Sequence, residues 1–364
     1  MKVLILSCKT GQGHNSVANA IAETLDARGH VCEVLDALSF VSDRTAKFMS
    51  WGHSFIYCYC PEVFQVGYEA AERFPSALGE KSVAYRFFAR GSQSLYEYCI
   101  EEGYEAVVCT HVFAALMLTD VKRSYNLDCK SYFVATDYTS YPGVQDSQMD
   151  VYFIPDDTLT SAYGEKKTVT SGIPVYQKFF DGAKKEEAKA ALGLPQESQH
   201  ILMMCGSMGC GPIEELAERI VSKMNEDCVL SIVCGTNQRL YQRLVKLFEG
   251  DSRVRVHGFV QNIHQMMTAS DVYVTKPGGI STTEAMAKGL PMVLVDAVAG
   301  CEDYNMRYFR NMGGAVAAKE PEKIAQLCME LITNSNRRDR MAAQLEHNSK
   351  NGAVIICDYL QEHA

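Results

Sequence analysis

The chain has 364 residues, 47% of them hydrophobic, and a formal net charge of −9. That length exceeds one comfortable core and fits two domains. The acidic balance argues against nucleic acid as the main partner, since phosphate backbones need a basic face. Fourteen cysteines are enough for a disulfide framework, but Cys8, Cys32, Cys109, Cys205 and Cys234 fall in predicted strands, without C-x-x-C or zinc spacing. They read as reduced thiols of a cytoplasmic protein. No apolar run approaches the roughly 20 residues of a membrane span, and the first run is too short for a signal peptide, so membrane contact is expected only at the surface.

Lys2 to Cys8 is a continuous apolar run, followed by the loop KTGQGHNS and a helical pattern at Val17, Ala20, Ile21 and Leu25. Arg28-Gly29-His30 closes the helix, and Val31 to Leu35 is the next strand. A glycine loop at the carboxyl edge of a strand is where open α/β sheets bind ligands. Gly11-x-Gly13-x-x-Ser16 lacks the third glycine of the dinucleotide fingerprint, and no GxxxxGK[ST] occurs. His14, where the helix starts, either serves as a general base, with an ordinary pKa of about 6.5, or caps the helix by bonding backbone.

Residues 40 to 98 break the strand–helix alternation. They hold the only Trp, Trp51, among many aromatics that include Phe55, Tyr68, Phe74 and Phe88, interleaved with Arg73, Lys81 and Arg86. Rings with basic neighbours suit a membrane interface or lipid groove, while a stripe facing a core is the bland alternative.

Strands follow near 105–110, 131–136 and 151–154. Thr110-His111 and Thr136-Asp137-Tyr138 fall just after two of them, which suits Asp137 to general-base work or to orienting His14; a plain turn aspartate is the other reading. A polar stretch, SGIPVYQKFFDGAKKEEAKAALGLPQES, then reads as a linker.

The second half repeats the scheme, with strands near 200–205, 228–234, 253–257, 271–275 and 291–295. The fold class is α/β: two Rossmann-like, doubly wound domains facing a central cleft. Cys205-Gly-Ser-Met-Gly-Cys-Gly211, before a helix expected from Pro212, gives an anion-friendly turn in which Ser207 and amides near Met208 and Gly209 reach a diphosphate. Backbone groups of Gly258, Phe259 and Val260 suit a uracil edge. The most informative run is DVYVTKPGGISTTEAMAKGLP: a strand, a turn at Gly278–Gly279, and a helix expected from Ser281 or Thr282. It reads as a diphosphate turn with Glu284 accepting from ribose hydroxyls, or as an ordinary capping box. With no Asp-x-Asp, a metal-bridged diphosphate has no obvious ligand set.

GQGHNSVANAIAETL, THVFAA, ATDYT, SGIPV and KPGGISTTEAMAKGLP, in that order, resemble the monogalactosyldiacylglycerol synthases and processive diacylglycerol glucosyltransferases. These are GT-B glycosyltransferases, more distantly related to the peptidoglycan lipid-intermediate N-acetylglucosaminyltransferase. The resemblance implies an acceptor domain over 1–172, joined by a C-terminal helix at about 345–364, and a UDP-sugar domain over 173–344. It implies metal-independent, cofactor-free, inverting transfer of glucose or galactose from a UDP-sugar to diacylglycerol in an anionic membrane, by a protein peripheral to the inner face of the cell membrane. His14 or Asp137 would be the base, and Gly13, His111, Trp51 and Tyr138 would lie near the acceptor. Gly206, Ser207, Met208, Gly209, Lys276, Gly278, Gly279, Ile280 and Ser281 would line the donor, Glu284 would hold the ribose, and Glu302 and Asn305 would face the sugar.

Two departures stand out. Ala299-Gly300-Cys301 replaces the family's Pro-Gly-Gln, and Tyr141 and Val144 stand where a His and a Trp are usual. A UDP-sugar 2-epimerase and a UDP-sugar-binding regulator without turnover are the rival readings.

Overall fold

The computed structural model describes residues 1–8, 12–42, 66, 68–70, 72–74, 78–209, 211–295 and 300–363. The chain divides into two units, the first comprising Met1–Gln177, Val298–Tyr304 and Lys350–Ala364, the second Lys178–Ala297 and Asn305–Ser349.

The first unit runs β1 (Lys2–Ser7), α1 (Gln12–Ala27), β2 (Val31–Asp36), α2 (Val83–Phe88), α3 (Ser92–Glu102), β3 (Ala106–Cys109), α4 (Val112–Ser124), β4 (Lys130–Val134), β5 (Val151–Ile154) and β6 (Thr168–Thr170). Its sheet has the order β2-β1-β3-β4-β5-β6, and every pairing is parallel. Parallel strands are covered on both faces, so they read as unbroken apolar runs. In β1 every residue after Lys2 is buried. Fully burying side chains such as Leu4, Ile5 and Leu6 contributes about 1.5–3 kcal/mol each.

The second unit contains α5 (Lys185–Ala191), β7 (Gln199–Met204), α6 (Ile213–Val221), β8 (Cys228–Val233), α7 (Gln238–Leu247), β9 (Val254–His257), α8 (Ile263–Ala269), β10 (Val272–Thr275), α9 (Gly279–Ala287), β11 (Met292–Leu294), β12 (Ala315–Ala317), α11 (Pro321–Thr333) and α12 (Ser335–Asn348). Helix α10 (Cys301–Asn311) starts in the first unit and ends in the second. The second sheet runs β12-β11-β10-β7-β8-β9, again all parallel. The last helix, α13 (Gly352–His363), belongs to the first unit, where Arg28, just after α1, pairs with Asp358 at 2.6 Å. Each unit has its own apolar core.

These strand orders fix where function can sit. The order reverses between β1 and β3 in the first sheet and between β7 and β10 in the second. At such switch points the following loops diverge to opposite faces, leaving a crevice beyond the carboxyl ends of the strands. His14 follows β1 and Thr110 follows β3; Ser207 follows β7 and Lys276 follows β10.

Three local expectations are corrected. The second glycine helix opens at Gly279 with Gly278 as its N-cap, not at Ser281 or Thr282, so Ser281 and Glu284 form no capping box. Pro212 is the N-cap of α6 rather than its first residue, with ψ at 50°. Strands β6 and β12 were not expected; each is three residues long.

Candidate active site

In the first unit, His14 lies in the opening turn of α1 and is half-buried. Its Nδ1 is 2.8 Å from the carbonyl oxygen of Thr110. A carbonyl only accepts, so Nδ1 carries the proton of the neutral ring and Nε2 presents a lone pair. Among the described residues nothing bonds Nε2. Desolvation pushes the imidazole down to about 4, only partly opposed by the Thr110 contact, so the ring is neutral at physiological pH. The Thr110 hydroxyl donates back to the His14 carbonyl at 3.2 Å, tying α1 to the end of β3.

His111 packs edge-on to His14, with ring centroids 4.5 Å apart. It is His111 that caps a helix: its Nδ1 accepts from the Phe113 amide at 3.1 Å, at the start of α4. The capping reading of His14 therefore belongs to its neighbour. On the far side of His14, Thr136 Oγ1 is 3.1 Å from Nδ1 and 2.8 Å from the Tyr141 hydroxyl. Tyr141 in turn donates to Asp137 Oδ2. Asp137 thus reaches His14 through two hydroxyls. Gly13 is helical, Tyr138 is interior at 2% exposure rather than on a surface, and Trp51 lies outside the described residues.

In the second unit, the N-terminus of α9 has no side-chain cap. The nearby hydroxyls bond backward instead: Thr282 Oγ1 donates to the Gly278 carbonyl at 2.8 Å and Thr283 Oγ1 to that of Gly279 at 2.6 Å. The amides of Ile280 and Ser281 keep the donor character of a helix start. A Cβ on Gly278 would meet nothing within 4 Å, so the turn is open on that side. Asn305, fully buried on α10, donates its amide to the Pro277 carbonyl at 2.9 Å and fixes the turn from below. Glu302, in the part of α10 that belongs to the first unit, is buried.

Across the switch point, Gly206, Gly209 and Gly211 adopt φ of 73°, 55° and 110°, folding the loop that carries Ser207 and Met208. Lys276 is 8% exposed, and its Cε lies 3.7 Å from where a Cβ of Gly211 would stand. The next loop clamps this one: the Thr236 amide donates to the Ser207 carbonyl at 2.9 Å and Asn237 Nδ2 to that of Gly209 at 3.1 Å. Gly235 and Asn237 were missed on sequence, although Cys234-Gly-Thr-Asn repeats the strand–glycine–helix pattern.

Glu284 is in the middle of α9, half-buried, and burial pushes its carboxyl up to about 8, with Lys178 opposing. Beyond β9, Phe259 is 67% exposed beside an open Gly258. Among the described residues no three His, Cys, Asp or Glu side chains converge as a metal site.

Residues 14–188 match the family model described as monogalactosyldiacylglycerol (MGDG) synthase, and residues 213–347 match that of glycosyl transferases group 1. A processive diacylglycerol beta-glucosyltransferase of Bacillus cytotoxicus is 26% identical over 347 residues, covering 92% of this chain and 87% of its relative. The solved structure of Acinetobacter baumannii MurG superposes with a TM-score of 0.68 at 15% identity, covering 99% of each chain. A putative UDP-N-acetylglucosamine 2-epimerase from Listeria monocytogenes shares the fold with a TM-score of 0.64 at 14% identity, covering 100% of this chain and 96% of the other. Two parallel Rossmann-like sheets and the matched domains define a GT-B glycosyltransferase. Within that class, residues 14–188 resemble the monogalactosyldiacylglycerol synthases, and the whole chain is similar to processive diacylglycerol beta-glucosyltransferases at about a quarter identity.

Proposed function

We propose that the chain transfers a hexose, glucose or galactose, from a UDP-sugar to the hydroxyl of diacylglycerol, with inversion and without a metal. The observation that carries this reading is His14, a neutral imidazole at a sheet's switch point whose Nδ1–H is held by Thr110, leaving Nε2 to take a proton. In the transfer the acceptor oxygen attacks the anomeric carbon while its proton passes to Nε2. The bond from that carbon to the β-phosphate oxygen breaks, and UDP leaves with the electron pair.

The first-turn amides of α9, the Gly206–Gly209 loop and Lys276 meet the charge of the leaving diphosphate. A helix end contributes about 0.3–1 kcal/mol, more where water is excluded. Glu284 accepts from the ribose hydroxyls, and Gly258 to Val260 hold the base. Glu302 lies beside the sugar, and Asn305 acts through the Pro277 carbonyl.

The acceptor is reached from a membrane surface, in this reading the inner face of the cell membrane. Exposed Val66, Phe74 and Val83, in a segment that also holds Arg73 and Lys81, support contact with an anionic bilayer. Among the described residues no helix is long and apolar enough to cross one.

UDP release from UDP-glucose and UDP-galactose, with and without diacylglycerol vesicles, tests the proposal. Vesicle-stimulated release that collapses in His14→Ala is expected. UDP binding without release from either donor overturns it in favour of a regulator, and lipid-independent conversion of the sugar favours an epimerase.

A further inference from the structure

We infer that Thr136 and Tyr141 are positioning residues, a directed relay of two hydroxyls through which the Asp137 carboxylate acts on the His14 ring. This rests on the reading of His14 as the base.

The direction of every hydrogen in the chain follows from its two ends. At one end the Thr110 carbonyl can only accept, so His14 Nδ1 carries a proton. At the other, the Asp137 carboxylate accepts the Tyr141 hydroxyl proton. Tyr141 then has only lone pairs for Thr136 Oγ1, 2.8 Å away, so the threonine is the donor there. That leaves a threonine lone pair facing His14 Nδ1 at 3.1 Å, where the N–H is shared between Thr110 and Thr136. All the hydrogens point toward Asp137. When Nε2 accepts a proton, the positive charge on the ring is answered along this line. In a serine-hydrolase triad an aspartate touches its histidine directly, orients it and stabilises the imidazolium; here two polarised hydroxyls span the gap, each strengthening the next.

The surroundings suit such a relay. His111, which faces the His14 ring, accepts an amide at Nδ1 and so is neutral. Tyr141, Tyr68, Tyr163 and Cys301 each feel Asp137, and burial, the larger cause, holds each of them in its uncharged form.

The test is a mutant cycle on the full chain with two readouts. In transfer assays, Tyr141→Phe and Thr136→Val are expected to lower kcat about tenfold with the donor KM unchanged, and Thr136→Ser to restore it. Asp137→Asn should cost a similar factor in the wild type and little more in the Tyr141→Phe background. In histidine-labelled protein, NMR should show a smaller protonated fraction of His14 at about pH 4.5 in Tyr141→Phe and Thr136→Val than in wild type or Thr136→Ser. Equal protonation in all four proteins overturns the relay, whatever the activity. Undiminished transfer by His14→Ala would remove the base reading instead, and the NMR comparison would still decide whether Asp137 reaches the ring.

Discussion

Gly235 lies so close to Ser207 that a Cβ built on it would stand 2.0 Å from the Ser207 carbonyl oxygen. The loop that carries Ser207 is held in place by a backbone contact that only glycine permits. Gly235→Ala is expected to raise the donor KM about tenfold and leave acceptor affinity unchanged. Gly250 supplies the control, since it also has positive φ, 85°, but a Cβ there meets nothing within 4 Å. Gly250→Ala shares the backbone strain of about 1–2 kcal/mol and should not disturb donor kinetics. Steady-state kinetics of both variants checks this.

Glu284 makes nucleotide binding depend on pH. Its carboxyl, raised to about 8, is mostly protonated in the free protein at neutral pH. Ribose hydroxyls donating to it favour the carboxylate, so binding lowers its pKa and releases a proton. UDP affinity is expected to rise with pH, by at most about tenfold per unit, and to level off above about 8. Calorimetry in buffers of different ionisation enthalpy should register proton release in the wild type and none in Glu284→Gln.

A buried histidine sets an acid limit on stability. His200 is fully buried, with Nε2 2.8 Å from Ser231 Oγ and Nδ1 3.0 Å from Ser270 Oγ, and desolvation pushes it down to about 4. Unfolded, it titrates near 6.5, so between about 4 and 6.5 the unfolded chain binds more protons. Its contribution is whole above pH 6.5 and fades as pH falls toward 4, by about 3 kcal/mol in all. His14 shifts in the same sense, so the comparison is between wild type and His200→Gln. Urea unfolding at pH 7 and pH 5 should show a smaller pH effect in the variant.

Surface apolar residues should govern membrane contact separately from chemistry. Phe74 and Val83 are 64% and 85% exposed. Burying each in a bilayer interface contributes about 1.5–3 kcal/mol at most. Phe74→Asp with Val83→Asp should weaken sedimentation with anionic vesicles at least tenfold while UDP binding holds.

Much of this was legible in the chain. The apolar runs at Lys2–Ser7, Gln199–Met204 and Val272–Thr275, each ahead of glycines, announce parallel strands and ligand loops, because a strand buried on both faces needs an unbroken apolar stretch. Thr168–Thr170 and Ala315–Ala317 escaped because three residues, only partly buried, carry no periodicity. The start of α9 was misplaced because Gly279 reads as a turn residue yet is helical. Least legible were contacts between loops. Gly235 under Ser207, and Thr136 beside His14, depend on which strands become neighbours, and local spacing does not encode that.

The most direct test is to follow labelled hexose from UDP-glucose and UDP-galactose into the organic extract of diacylglycerol vesicles, comparing wild type with His14→Ala. A hexosyl-diacylglycerol formed from one of the donors, with UDP released in equal amount and at least a hundredfold loss in the variant, is expected. Labelled lipid at the same rate in both proteins would contradict the role given to His14, and UDP binding with no labelled lipid from either donor would contradict the transfer itself.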